Sequence, residues 1–60
     1  MYRIKLEMFN GDIINIKGKY TYDEASMLAS AHLKDNLVKQ VRLYVGRELR
    51  VTLFRDPIHN

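Results

Sequence analysis

Alternating apolar and polar side chains predict a β-hairpin in the first part of the chain. Residues 2–8 alternate between apolar and charged side chains, which is typical of a half-buried strand, and Phe9 follows on the face of the charged residues. Asn10-Gly11 follows, a dipeptide that favours a tight hairpin turn. A second strand, rich in isoleucine, is predicted from Asp12 to Lys17.

The same alternation returns after residue 36 and predicts a second hairpin. Its strands cover residues 37–45 and 49–55, and Gly46-Arg47-Glu48 forms the turn between them. Pro57 ends the last strand because proline cannot donate to the ladder. We expect residues 58–60 to form a loose tail.

A single helix is predicted between the two hairpins. Thr21 and Glu24 have the spacing of a capping box, and the helix continues to about Asp35, with Asn36 as a left-handed stop. Its core-facing stripe, at 100° per residue, consists of Tyr22, Ala25, Leu28, Ala29, His32 and Leu33. Met27 falls outside this stripe, so we expect its side chain to be exposed.

The length of the first turn follows from the requirement that apolar residues share one face. A three-residue loop pairs Leu6 with Ile14, whereas a loop shorter by one residue would move Ile14 to the charged face. Gly11 then adopts the left-handed conformation of a G1 bulge. Ile13 points away from the core, next to Phe9.

The second turn is predicted to contain three residues, 46–48, for the same reason. The apolar pairs in that register are Val45 with Leu49, Leu43 with Val51, and Val41 with Leu53. Tyr44 and Phe54 then point away from the core.

These elements predict one α+β domain over residues 1–60, with the order β-β-α-β-β. The expected sheet is antiparallel, has four strands in the order 2-1-3-4, and carries the helix on one face. The other face stays uncovered and holds aromatic and aliphatic groups among cations. The predicted partner-binding residues on that face are Phe9, Ile13, Tyr44, Phe54, Arg42 and Arg50, accompanied by Arg3, Lys5 and Lys17.

Three interpretations of the uncovered face stay open. Aromatic residues and arginine are enriched at protein interfaces, which favours contact with a protein partner or with a second copy of the chain. The aromatic rings could instead stack on bases while the cations hold phosphates. In a purely structural interpretation, the cations cover the aromatic rings through cation–π contacts.

Composition and motifs indicate a small intracellular binding protein. The chain has 60 residues, no cysteine and a net charge of +3, so disulfides and thiolate metal sites are excluded. No apolar run is long enough for a signal peptide or a membrane span, and we expect a cytoplasmic protein. Ser26, Ser30 and His32 show no catalytic spacing, and no glycine-rich phosphate loop is present. We therefore expect neither enzymatic activity nor a metal or cofactor.

The chain resembles small antitoxins of tailed phages, of the Dmd type, which block host mRNA-degrading toxins of the RnlA/LsoA type. The similarity covers the length and element order, and locally Leu37-Val38-Lys39 leading into an apolar strand, a charged turn and a final strand. This chain lacks tryptophan, so a tryptophan contact in that family needs a substitute here. The resemblance implies a stoichiometric, non-enzymatic inhibitor of a host endoribonuclease toxin.

Overall fold

The fold is a four-stranded antiparallel sheet with one helix on one face, as the sequence predicts. A computed structural model describes residues 1–55 of the chain. The elements are β1 (Tyr2–Met8), β2 (Ile13–Tyr20), α1 (Tyr22–Leu33), β3 (Val38–Val45) and β4 (Glu48–Phe54). The strands lie in the order β2-β1-β3-β4, which confirms the predicted topology. The predictions for Pro57 and for residues 58–60 lie outside the described residues.

The β1–β2 turn has the predicted three-residue form. The Gly11 amide donates to the Met8 carbonyl at 3.0 Å, and the Met8 amide donates to the Asp12 carbonyl at 2.9 Å. Gly11 has a φ of 94°, a conformation that a residue with a Cβ adopts only with strain. Leu6 pairs with Ile14 as expected, so the register of this hairpin is confirmed.

Strand β2 extends to Tyr20, three residues beyond the predicted end at Lys17. Tyr20 pairs with Tyr2 and Ile16 pairs with Ile4, so three residues of β2 lie opposite one residue of β1. Gly18 lies in this bulge with a φ of 106°. The glycine therefore distorts the strand without ending it, which a pattern of alternation does not reveal.

The predicted three-residue turn between β3 and β4 is wrong. Val45 pairs with Glu48, not with Leu49, which leaves a turn of two residues. The register shifts between Leu43 and Tyr44, because β4 contains one extra residue there. Leu43 therefore still pairs with Val51, as predicted. The bulge compensates for the shorter turn and keeps the apolar pairs in the core.

Helix α1 begins as predicted and ends earlier. The Thr21 hydroxyl accepts from the Glu24 amide at 3.2 Å, and the Glu24 carboxylate accepts from the Thr21 amide at 3.0 Å, which completes the capping box. Leu33 is the last helical residue, and no described residue other than glycine has a positive φ, so the left-handed stop at Asn36 is wrong. The chain turns instead through Asp35, whose carboxylate accepts from the Leu37 amide at 2.9 Å.

The core lies between α1 and the two central strands. Its buried residues are Ile4, Leu6, Ala25, Ala29, Val38, Val41 and Leu43. Ala25 and Ala29 allow the close approach of the helix that the sequence predicts. Strand β2 lies at the edge of the sheet, so Ile14 is 44% exposed although it pairs with buried Leu6.

Tyr22 is exposed, contrary to its predicted place in the core stripe of α1. It lies in the first turn of the helix, where its ring meets the Tyr2 ring edge to face at 5.5 Å. Leu28, His32 and Leu33 of the stripe are half-buried, and Met27 is exposed as predicted. Within residues 1–55, no helix is long and apolar enough to cross a membrane.

Candidate binding surface on the open face of the sheet

The open face is the side of the sheet opposite α1, and strand pairing arranges its residues in three rows. The first row is Ile13, Glu7, Gln40 and Phe54; the second is Asn15, Lys5, Arg42 and Thr52; the third is Arg3, Tyr44 and Leu49. Polar residues occupy the middle of the face, and the large apolar side chains lie at its edges. The order follows from the register, because residues paired across antiparallel strands point to the same side.

A hydrogen-bonded charge cluster surrounds Glu7 in the first two rows. One oxygen of its carboxylate, Oε1, accepts from Arg42 Nη2 at 2.9 Å and from Gln40 Nε2 at 3.1 Å. Lys39 Nζ lies 3.7 Å from the other oxygen. Gln40 is only 8% exposed, although it belongs to the open face. The predicted binding residue Arg42 is therefore already engaged within the chain.

Tyr44 is partly covered by a cation, as the structural interpretation of this face expects. Lys5 Nζ lies 4.9 Å from the centroid of the Tyr44 ring, within the range of a cation–π contact. The neighbouring Arg3 donates from Nη2 to the Gly46 carbonyl at 2.9 Å. Tyr44 therefore presents less free surface than its outward position suggests.

The six predicted binding residues do not form one patch. Ile13 lies at the β2 edge, and Phe54 lies at the β4 edge of the same row. Phe9 lies outside the rows, in the β1–β2 turn, where its amide donates to the Leu37 carbonyl at 3.0 Å. Since neighbouring strands are about 4.8 Å apart, three strand spacings separate Ile13 from Phe54 by about 14 Å. Tyr44 lies two rows away from Phe54. The geometry does not place the aromatic rings where they could stack on successive bases.

The exposed apolar groups on β4 form the better candidate surface because they share one edge strand, along which a partner strand can lie, although Leu49 and Tyr44 are two rows from Phe54. Phe54 is 66% exposed and Leu49 is 46% exposed, one near each end of the strand. Arg50 lies between them, with Nη1 3.3 Å from Glu48 Oε1 in an exposed ion pair. We call Leu49, Arg50 and Phe54, together with Tyr44 on β3, the β4 surface.

The sequence predicts that Leu49 faces the core. Leu49 is therefore the one residue of the β4 surface that the prediction missed. The bulge in β4 sets it opposite Tyr44. No feature of the alternating pattern marks a bulge at this position, since glycine and proline are absent from residues 48–54. The only available signal was the Gly46-Arg47 dipeptide, which is compatible with a two-residue turn.

The capping box of α1 shifts the pKa of one titrating group, Glu24. The amide and hydroxyl of Thr21, which donate to the Glu24 carboxylate, lower the pKa of that group below its usual value of 4.5. Within residues 1–55, no three histidine or acidic side chains lie together in an arrangement that could hold a metal ion.

Comparison with known proteins identifies no relative of this chain. The chain matches no protein-family model, and no curated protein or solved structure shows a significant similarity to it. Its function must therefore be argued from its own residues.

Proposed function

We propose that this chain is a small non-enzymatic binding protein that inhibits a protein partner by stoichiometric binding through the β4 surface. The observation that carries the proposal is the exposure of Phe54 and Leu49 on one edge strand, with Arg50 between them. Aromatic residues and arginine are enriched at protein interfaces, which fits Phe54 and Arg50. In the free chain these apolar side chains are exposed to water. A partner that covers them removes apolar surface from solvent, which lowers the free energy.

The chemistry of the β4 surface defines the partner. Two apolar side chains require complementary pockets, and Arg50 requires an acidic or carbonyl-rich neighbour. The ion pair of Arg50 with Glu48 is exposed, so either residue is able to exchange its partner at little cost. The β4 edge also offers unpaired backbone groups, which allows a strand of the partner to add to the sheet.

In its specific form, the proposal is an antitoxin of phage type that blocks an endoribonuclease toxin in the bacterial cytoplasm. This form rests on the resemblance described above and on the small, single-domain scaffold. The test is co-expression of the chain with a toxin of the RnlA/LsoA type, with growth of the bacterial host as the readout. We expect the chain to restore growth and to form a complex with the toxin on gel filtration.

Matched variants connect this test to the β4 surface. Leu49→Ser combined with Phe54→Ser should abolish both rescue and the complex. Met27→Ser is the control, because Met27 is an equally exposed apolar residue on α1, away from the open face. Failure of the unmodified chain to bind any such toxin would refute the specific form. Binding that survives the double substitution would refute the assignment of the β4 surface.

A second copy of the chain is the alternative partner for the same surface. Analytical ultracentrifugation distinguishes it, since a homodimer built on Leu49 and Phe54 dissociates in the double variant. A monomer at high micromolar concentration would exclude a homodimer.

A further inference from the structure

The cations of the chain are unevenly distributed, and half of them gather at one end of the sheet. This basic end comprises Arg3, Lys5, Lys17, Lys19 and Arg47. Arg3 and Lys5 lie on β1, and Lys17 and Lys19 lie in the bulged part of β2 opposite Arg3. Arg47 belongs to the β3–β4 turn, whose Gly46 carbonyl accepts from Arg3.

Two adjoining grooves run across the basic end. One has a volume of about 460 Å³ and is lined by Met1, Arg3, Lys19, Gly46 and Arg47. The other, of about 300 Å³, is lined by Arg3, Ile4, Lys5, Asn15, Ile16, Gly18 and Lys19. Arg3 and Lys19 line both grooves, and no carboxylate lines either one.

The cations of the basic end have no acidic partner among residues 1–55. The salt bridges within residues 1–55 join Lys39 to Glu7, Arg42 to Glu7, and Arg50 to Glu48, so none of them involves a cation of the basic end. Glu48 is the carboxylate nearest in sequence to Arg47, and it is paired with Arg50. Neighbouring cations repel one another, and an anion that binds between them relieves this repulsion.

We propose that the basic end binds the phosphate backbone of nucleic acid. Three of its five cations are lysine, which is depleted in protein interfaces, and no aromatic or exposed aliphatic anchor lines the grooves apart from Met1. Lysine and arginine are the usual contacts to phosphate oxygens. A nucleic-acid backbone that crosses both grooves would contact Arg3 and Lys19, since these two residues line both grooves. This site adjoins the β4 surface at Tyr44, which pairs with Arg3 and is covered by Lys5, but the two share no residue. The proposal does not depend on the proposed inhibition.

The strength of the interaction is set by counterion release. Contact with three phosphates gives a slope of about −2 for the logarithm of affinity against the logarithm of salt concentration, and therefore a roughly 20-fold loss between 50 and 200 mM salt. Base identity has little influence, because the grooves offer no aromatic platform. RNA and DNA of the same length should bind with similar affinity.

The test is fluorescence anisotropy with a labelled 12-nucleotide single strand, with a glutamate-rich peptide of similar length as a second probe. Lys19→Gln combined with Arg47→Gln should weaken oligonucleotide binding at least fivefold. These two side chains make no hydrogen bond or salt bridge within residues 1–55, so the fold should persist, as a thermal melt would verify. The control is Lys34→Gln combined with Lys39→Gln, which removes the same net charge from outside the basic end and should change affinity less than twofold.

Several results would overturn the proposal: no binding of the oligonucleotide at 50 mM salt, equal losses in the two double variants, or equally tight binding of the acidic peptide. Amide shifts of Gly18 and Gly46 on titration would support the site, and shifts confined to other strands would contradict it. The variant with Leu49→Ser and Phe54→Ser should bind the oligonucleotide normally. That result separates this proposal from the proposed inhibition.

Discussion

Arg42 on β3 reaches diagonally to Glu7 on β1, with Nη2 2.9 Å from Oε1. The Glu7 side chain is only 19% exposed, and Gln40 donates to the same oxygen. Removing Arg42 therefore leaves a largely covered carboxylate with one hydrogen bond fewer. Arg42 therefore stabilises the folded chain, whether or not it also contacts a partner.

A double-mutant cycle measures the strength of this pair. Glu7→Gln and Arg42→Gln, singly and together, should give a coupling of about 0.5–1 kcal/mol in the free energy of unfolding, obtained from urea denaturation. The control cycle uses Glu48→Gln and Arg50→Gln, because these two side chains are more exposed and their charged atoms lie 3.3 Å apart. Its coupling should be about 0.3 kcal/mol or less. Equal coupling in the two cycles would contradict the inference that the low exposure of Glu7 strengthens its pair with Arg42.

The capping box predicts loss of stability in acid. The folded-state pKa of Glu24 lies below its usual value of 4.5, so its contribution is complete above that value and is lost as the pH falls through the lower, folded-state pKa. Thermal melts between pH 7 and pH 3 should show a smaller acid-induced decrease in Tm for Glu24→Gln than for the unmodified chain.

Thr21→Ala removes the other half of the box and should cost about 1 kcal/mol at neutral pH. Ser26→Ala, at an interior helix position, serves as the control and should leave stability nearly unchanged. Parallel acid titrations of the unmodified chain and Glu24→Gln would contradict the role of this carboxylate.

Leu43 and Leu49 lie six residues apart on one hairpin and should respond differently to truncation. Leu43 is completely buried, so Leu43→Ala should cost about 2–5 kcal/mol. A domain of this size has a total stability of a few kcal/mol, on the order of 0.1 kcal/mol per residue, so most of that variant should be unfolded at 37 °C. Leu49→Ala should cost less than about 1 kcal/mol, as expected of an exposed residue. Circular dichroism melts check both, and similar losses would contradict the outward position of Leu49.

Gly18 is the glycine least able to accept a side chain. Its φ of 106° strains any L-residue, and a Cβ built there lies 3.1 Å from the Tyr20 hydroxyl oxygen. That hydroxyl donates to the Lys17 carbonyl at 2.7 Å. Gly18→Ala should therefore cost about 1–3 kcal/mol.

Gly11→Ala is the matched comparison, because Gly11 also has a positive φ but has open space around its Cβ position. Urea denaturation should show a smaller loss for Gly11→Ala than for Gly18→Ala. The reverse order would mean that contact with Tyr20 is unimportant.

The sequence determines the fold here through the pairing of apolar positions. Leu6 with Ile14 and Leu43 with Val51 were predictable because only one register sets both members of each pair on the face of the sheet that carries the helix. The bulge in β4 was not predictable, since it changes the path of the backbone without changing which residues are apolar. The same limitation concealed the outward position of Leu49.

The candidate surface was predictable only in part. Phe54 was correctly placed on the uncovered face, since the register of Val41 with Leu53 fixes its orientation. The engagement of Arg42 by Glu7 depends on which strands become neighbours and on side-chain geometry across them. Neither is contained in the alternation of a single strand.

The two-residue turn and the bulge in β4 together decide on which face of the sheet Leu49 lies. Closing the same segment with a three-residue turn and no bulge would leave Leu43 opposite Val51 and every pair beyond it unchanged. The two closures differ only in residues 44–50, where Leu49 exchanges Tyr44 for Val45 as its partner. The core pairs are therefore compatible with either closure, and only the closure that contains the bulge places Leu49 on the open face.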